Sequence, residues 1–222
     1  MNLCLNQQQE FDYFMILDFE ATCSETDRDF QNEVIEFPIV VLNSRNGKIE
    51  AEFREYVRPR LNTVLTGFCT KLTGIEQETV DKAEAFPVVF ANARKFYDSF
   101  LIEHPDSKTI FVTCGDWDLQ KMLSNQARLS DVKVPWYLQE WINIKIPFKA
   151  NHASFSKGTC GGFGMASMLE SLNLPLIGRH HCGLDDSRNI AAITYALIKK
   201  GIVLKKTTEW SPKLKRQLSE PS

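Results

Sequence analysis

Five side chains in this sequence have the types and spacing for phosphodiester chemistry. Asp18 and Glu20 flank Phe19 at the end of the apolar run Tyr13–Leu17. On an extended backbone, residues i and i+2 point to one face, so the two carboxylates lie side by side. Adjacent anions repel unless a cation sits between them, and hard oxygen ligands select Mg²⁺ or Mn²⁺ over zinc. Alone, the pair reads equally well as a solvated turn. Gly115-Asp116-Trp117-Asp118 supplies two more carboxylates. One can cap the following helix and the other can face the first strand. Capping suits Asp116 and metal binding suits Asp118, but spacing leaves the choice open. The third piece is His181-Cys182-Gly183-Leu184-Asp185-Asp186. A histidine just before a helix, with an aspartate five residues on, places imidazole and carboxylate around one small volume. Neutral imidazole takes a proton from water near physiological pH. Asp185 reads as a first-turn residue favoured by the helix dipole, and His180 as a surface or supporting residue. The sum is a two-metal phosphodiesterase site: one ion orients a water, the other stabilises the leaving 3′ oxygen, and His181 is the general base.

The elements that must position these groups follow from hydrophobic periodicity. Tyr13–Asp18 reads as a buried central strand whose end opens into a site. Glu33–Leu42 and Glu50–Val57 form a hairpin through Asn46-Gly47. Pro87–Glu103 has helical spacing, Thr109–Thr113 is a strand, and Trp117–Leu129 returns to a helix. Trp141–Ile146 is expected as a short strand, Lys157–Gly164 as a glycine-rich loop, and Met165–Leu172 as a helix. Asp185–Lys199 is the clearest helix, stopped by Gly201. The polar segment Ser211–Ser222, with two prolines, is expected to lack order. This order predicts an α/β protein with a mixed β-sheet flanked by helices on both faces. Ligands in such folds gather outside the carboxyl ends of central strands, where Asp18 and Gly115–Asp118 fall. The expected division is an N-terminal extension over 1–10, a catalytic domain over 11–207 and a basic tail over 208–222.

A chain of 222 residues suits one sizeable domain. Its 43% hydrophobic and 24% charged residues are an ordinary globular mix. The longest apolar stretches are far short of a membrane span, and the polar N-terminus lacks a signal-peptide core. These features predict an intracellular protein, in cytoplasm or nucleus, without a membrane partner. The six cysteines include no C-x-x-C pair and are expected to be reduced. A net charge of −2 looks wrong for a nucleic-acid partner, but distribution matters more than the sum. Metal ions neutralise clustered carboxylates, and residues 199–216 carry seven Lys and Arg against Glu209 alone.

Six ordered motifs resemble the DEDDh exonucleases, on the branch of the 3′ histone-mRNA exonuclease and the enhanced-RNAi nucleases. They are Asp18–Cys23 (DFEATC), Asn32–Pro38 (NEVIEFP), Leu72–Ile75 (LTGI), Gly115–Leu119 (GDWDL), Trp141–Ile144 (WINI) and Gly178–Ala191 (GRHHCGLDDSRNIA). The resemblance runs from about Tyr13 to Lys206. It implies an RNase H-like fold and 3′→5′ release of nucleoside 5′-monophosphates. It assigns two Mg²⁺ or Mn²⁺ ions to Asp18, Glu20, Asp118 and Asp186, and the general base to His181. It also implies that Trp117 and Phe68 stack on the terminal base, which contributes about 1–3 kcal/mol whatever the base. Ala21 and Thr22 would lie along the terminal sugar, with Thr22 bonding a hydroxyl. The implied partner is single-stranded or 3′-overhang nucleic acid, RNA first and DNA second. The family's usual residue before the catalytic histidine is proline, and this chain has His180 there. The residues before Tyr13 are too few for the RNA-binding module of some relatives, so their stem-loop specificity is not expected to carry over. With all five site residues present, an active nuclease is favoured over a silent binding module.

Overall fold

The computed structural model describes residues 8–154 and 163–220. In chain order the elements are β1 (Tyr13–Ile16), β2 (Glu20–Ala21), β3 (Val34–Asn43), β4 (Ile49–Arg58), α1 (Gly67–Thr73), α2 (Gln77–Asp81), β5 (Glu84–Ala85), α3 (Phe86–Glu103) and β6 (Thr109–Thr113). A π-helical turn (Trp117–Met122) then leads into α4 (Leu123–Ser130). The rest are β7 (Glu140–Asn143), α5 (Lys145–Asn151), α6 (Met165–Ser171), α7 (Gly183–Lys199), β8 (Thr208–Glu209) and α8 (Pro212–Leu218).

The sheet runs β5-β4-β3-β1-β6-β7-β8, with β2 paired to β3. β1 lies at its centre, antiparallel to β3 and parallel to β6. Its side chains alternate between two cores, as a pleated strand requires. Met15 joins Phe37, Ile39, Phe111 and Trp141 under α3, α4 and α8. Phe14 and Ile16 join Val40, Leu42, Val112 and Ile142 under α6 and α7. Both faces of the central strands are therefore buried, which is why Tyr13–Leu17 reads as a continuous apolar run. The hairpin of β3 and β4 turns at Gly47, whose φ of 72° a side chain adopts only with strain. A Cβ there would also lie 2.3 Å from the Tyr195 ring of α7.

The carboxyl ends of β1 and β6 open on the same edge, and α7 crosses β3 beside them. Three expectations change. Trp141–Ile146 is not one strand: β7 ends at Asn143 and α5 begins at Lys145. The Asn143 side chain accepts the Lys145 N–H at 3.1 Å and turns the chain, and Pro147 is tolerated in a first helical turn. The segment from 208 is ordered through 220. β8 pairs with β7, and Trp210, Leu214 and Leu218 pack into the main core. Pro212 starts α8 behind the Ser211 cap instead of breaking it. Two of the basic residues around it are paired, with Lys206 3.0 Å from Glu140 and Lys215 2.9 Å from Glu209. The helix expected over Trp117–Leu129 opens with a wider π turn. Most of the glycine-rich segment Lys157–Gly164 lies outside the described residues, as do residues 1–7 and 221–222. Cys23, Cys69, Cys114 and Cys182 are free thiols. No helix among the described residues is long and apolar enough to cross a membrane.

Candidate active site

The end of β1, the start of β2, the turn after β6 and the start of α7 bring the acidic groups together. Carboxylate oxygens of Asp18, Glu20 and Asp186 all lie within 4.8 Å of one another. Asp118 joins from the π turn, where its Oδ1 accepts the Phe19 N–H at 2.9 Å. π turns insert one extra residue into a helix and recur at functional sites; here Asp118 is buried while Trp117 is exposed.

The neighbouring Asp116 does something else. It occupies the N-cap position, but its side chain caps nothing. Its carboxylate accepts Trp141 Nε1–H at 3.0 Å, Asn143 Nδ2–H at 2.9 Å and the Thr208 hydroxyl at 3.1 Å. The expected capping role is thus replaced by a brace between the β6 turn, β7 and β8.

The cluster is electrostatically loaded. Burial, then Asp118, Asp186 and Glu20, push Asp18 well above the ordinary carboxylate range. Burial and the neighbouring Glu36, Asp186 and Asp118 raise Glu20 to about 8. Burial raises Asp118 to about 6, against the Phe19 N–H and the Lys145 ammonium, which favour its anion. Burial likewise raises Asp186 to about 6, opposed by the His181 N–H. Asp186 Oδ1 is buried without a hydrogen-bond partner, and a buried carboxylate oxygen left bare costs free energy. Four converging oxygen donors with one orphaned atom fit a hard divalent cation of the Mg²⁺ or Mn²⁺ class.

His181 sits at φ 65°, in the left-handed region that few non-glycine residues occupy. Its N–H donates to Asp186 Oδ2 at 2.8 Å. Burial, then His180 and Arg179, lower its imidazole below the ordinary 6.5. A lowered pKa keeps the ring neutral, and so basic, at physiological pH. His180 stacks on it with ring centroids 4.0 Å apart, and is itself 4.0 Å from Asp186. Asp185 stays structural, accepting the Arg179 N–H and the Arg188 guanidinium.

Trp117 is 42% exposed and Phe68 37%, so neither ring belongs to the core. They line different depressions. Phe68 shares one with Lys71, Arg179 and His180, and Trp117 shares the other with Lys121 and Arg128. Thr22 is 1% exposed, and its hydroxyl accepts the Glu33 N–H at 2.9 Å, which braces β2 against the next strand. Ala21 is buried too, and its carbonyl accepts the Cys69 thiol at 3.6 Å.

Sequence reasoning missed Glu36, a fully buried carboxylate beneath the site. It accepts the Gly183 and Leu184 N–H groups at 3.1 Å each, and the Arg54 guanidinium at 2.9 Å. These are first-turn donors of α7, which otherwise lack partners. Gly183 makes the approach possible, because a Cβ there would lie 2.6 Å from the Asp18 carbonyl. A charged residue inside the otherwise apolar β3 was the available signal. Glu36→Ala would strand three donors, at a cost of about 2–4 kcal/mol. Its expected result is a melting temperature roughly 5–15 °C lower, read by calorimetry in chelator.

The comparisons with known proteins point one way. The family model described as Exonuclease matches residues 15–194. The human 3′-5′ exoribonuclease 1 is 41% identical over 198 residues, covering 88% of this chain and 55% of the relative. The human ERI1 exoribonuclease 3 is 41% identical over 201 residues, covering 90% of this chain and 58% of the relative. The chain thus spans a little over half the length of these curated relatives. Among solved structures, the nuclease domain of 3′hExo, a DEDDh family member bound to rAMP, matches with a TM-score of 0.81 and 40% identity. It covers 90% of this chain and 98% of that one. A 3′-exonuclease recognising the 3′ end of a histone mRNA stem-loop matches at 0.83 and 38%, covering 92% and 70%.

Proposed function

The chain belongs to the DEDDh 3′→5′ exonucleases, on the branch of 3′-5′ exoribonuclease 1 and the ERI1 exoribonucleases, and on that basis we propose that it shortens RNA from the 3′ end, releasing nucleoside 5′-monophosphates. Its eight-stranded mixed sheet flanked by helices is the RNase H-like fold of that family. The observation that carries the proposal is the four-carboxylate cluster with its orphaned Asp186 Oδ1, set beside a histidine held neutral.

In this reading Asp18, Glu20, Asp118 and Asp186 hold two Mg²⁺ or Mn²⁺ ions. When bound, divalent ions supply charge neutralisation at a phosphodiester and acidify a water. The chain's own residues do the rest. Asp186 holds the backbone at His181 through its N–H, which places that residue beside the carboxylates. His181 takes the proton of the attacking water. The Phe19 N–H and Lys145 keep Asp118 in its anionic, ligating form. Glu36 and Gly183 seat the start of α7 against β1, so that Asp186 meets Asp18. Trp117 and Phe68 stack on bases at the 3′ end, an interaction indifferent to sequence.

The relatives named for exoribonuclease activity favour RNA over DNA as the substrate. The test is side-by-side digestion of a 5′-labelled single-stranded RNA and its DNA counterpart with Mg²⁺ or Mn²⁺. The expected result is a ladder shortening one nucleotide at a time, faster on RNA. Equal or faster loss of the DNA would overturn the substrate assignment.

A further inference from the structure

Beyond the residues around the carboxylates, the molecule carries a polar cleft of about 500 Å³ that begins at Trp117. One wall is a single exposed stripe of the π turn and α4: Trp117, Lys121, Asn125 and Arg128. Their spacings of four, four and three keep them on one helical face, and eleven residues of helix extend roughly 16 Å. The other wall comes from residues 30–32 and Leu61.

We propose that this cleft is the track for the substrate strand 5′ of its terminal nucleotide, with Lys121 and Arg128 holding backbone phosphates. The inference rests on the exonuclease reading and extends it to nucleotides that never meet the carboxylates.

Three observations carry it. The cleft is charged for a polyanion. Lys121 and Arg128 line it, no Asp or Glu does, and neither cation has an ion-pair partner among the described residues. Arg128 makes only a 3.2 Å bond to the neutral Asn125 side chain. The cleft also begins one residue from the reaction centre. Trp117 lines it, and the next residue, Asp118, belongs to the acidic cluster. A strand whose 3′ end lies at the carboxylates and whose base meets Trp117 therefore enters the cleft with its next phosphates.

Finally, the walls are held in place before any ligand arrives. The Glu33 carboxylate accepts the N–H groups of Arg60, Leu61 and Asn62 at 2.7, 2.7 and 2.8 Å. Asn62 donates to the Gln31 carbonyl at 2.7 Å and Asn32 to the Thr22 carbonyl at 2.6 Å. Arg60 ties the far end to α4 through the Leu129 carbonyl at 3.2 Å. A preformed groove loses less entropy on binding. Cations recognising phosphates leave the base sequence unread, and the asparagines can bond sugar or phosphate oxygens.

The test compares a dinucleotide with a single-stranded 12-nucleotide RNA on wild type and on Lys121→Gln combined with Arg128→Gln. Both positions are exposed, so the melting temperature should hold. On the 12-mer, kcat/KM should fall at least tenfold, mainly through KM, while the dinucleotide loses less than threefold. Binding of the 12-mer in chelator, followed by fluorescence anisotropy, should weaken by a similar factor without any need for turnover. The slope of log Kd against log salt should drop by about 1.4, or about 0.7 for each phosphate no longer neutralised. Equal losses on both substrates, or an unchanged 12-mer slope and affinity, would overturn the track. A wild type that binds the 12-mer with the full slope but cleaves neither substrate would instead overturn the exonuclease reading and leave the track standing.

Discussion

Asp18→Asn is expected to abolish turnover, by at least roughly 10³-fold, and at the same time to make the chelated protein melt higher. The two effects have one cause. Asp18 sits against Asp118, Asp186 and Glu20, and its proton is held well above the ordinary carboxylate range by burial and then by those anions. A carboxyl whose pKa is raised by folding binds more protons folded than unfolded, so stability falls as pH rises through the folded value. Here the decline starts near the ordinary carboxylate values of 3.8 and 4.5 and runs through about 6 for Asp118 and Asp186 to about 8 for Glu20. At pH 8 in chelator, with Glu20 about half ionised, the wild type has therefore lost most of this stability. Asparagine removes one charge at nearly constant shape. Each pKa unit relieved is about 1.4 kcal/mol, so melting should rise roughly 3–6 °C per unit. Adding Mn²⁺ should invert the order, because the ion stabilises only a protein that binds it. A variant that melts lower than wild type in chelator at pH 8 would mean that the cluster is not strained by its own charge.

His181→Ala is the second large effect. Loss of a general base lowers the rate by about 10²–10⁴-fold. Burial, then His180 and Arg179, hold the wild-type imidazole below 6.5, so the base is neutral throughout the range above that value. The wild-type rate should therefore be flat through pH 7 and fall only at lower pH, where the ring takes up a proton. The alanine variant should lose that acid limb along with the rate, and imidazole buffer should restore part of the rate. A near-normal rate across pH 6–9 would remove His181 from the mechanism. His180→Ala should retain most activity, since the exposed ring stacks on His181 and stands 4.0 Å from Asp186.

What the sequence disclosed, and what it withheld, follows the range of the interactions involved. β1 and the hairpin of β3 and β4 were readable because local pattern determines them: an apolar run ending in acids, and Asn46-Gly47 between β-prone segments. α7 was readable because its apolar face recurs at helical spacing. Asp18 and Glu20 were findable as an i, i+2 pair. The choice of Asp118 over Asp116 was not settled by spacing, because the partners that occupy Asp116 come from β7 and β8, 25 to 92 residues away. The bond from the Glu33 N–H to the Thr22 hydroxyl was out of sight for the same reason, since it crosses the β2–β3 pair. The end of the chain was misread because its two prolines and many lysines outweighed Trp210, Leu214 and Leu218. Leu214 and Leu218 share one face of α8 and Trp210 lies just before its cap, and all three gain order only by packing on a core built elsewhere. Glu36 shows the limit most directly: nothing near it in sequence reveals that its three partners are Arg54, Gly183 and Leu184.

The most direct measurement is digestion of a 5′-labelled single-stranded RNA with Mn²⁺ and with chelator, resolving both the shortened strands and the released product. A one-nucleotide ladder with nucleoside 5′-monophosphate as product, present with Mn²⁺ and absent with chelator, is the predicted result. Digestion that persists in chelator, or internal fragments in place of a ladder, would contradict a metal-dependent exonuclease centred on Asp18, Glu20, Asp118, Asp186 and His181.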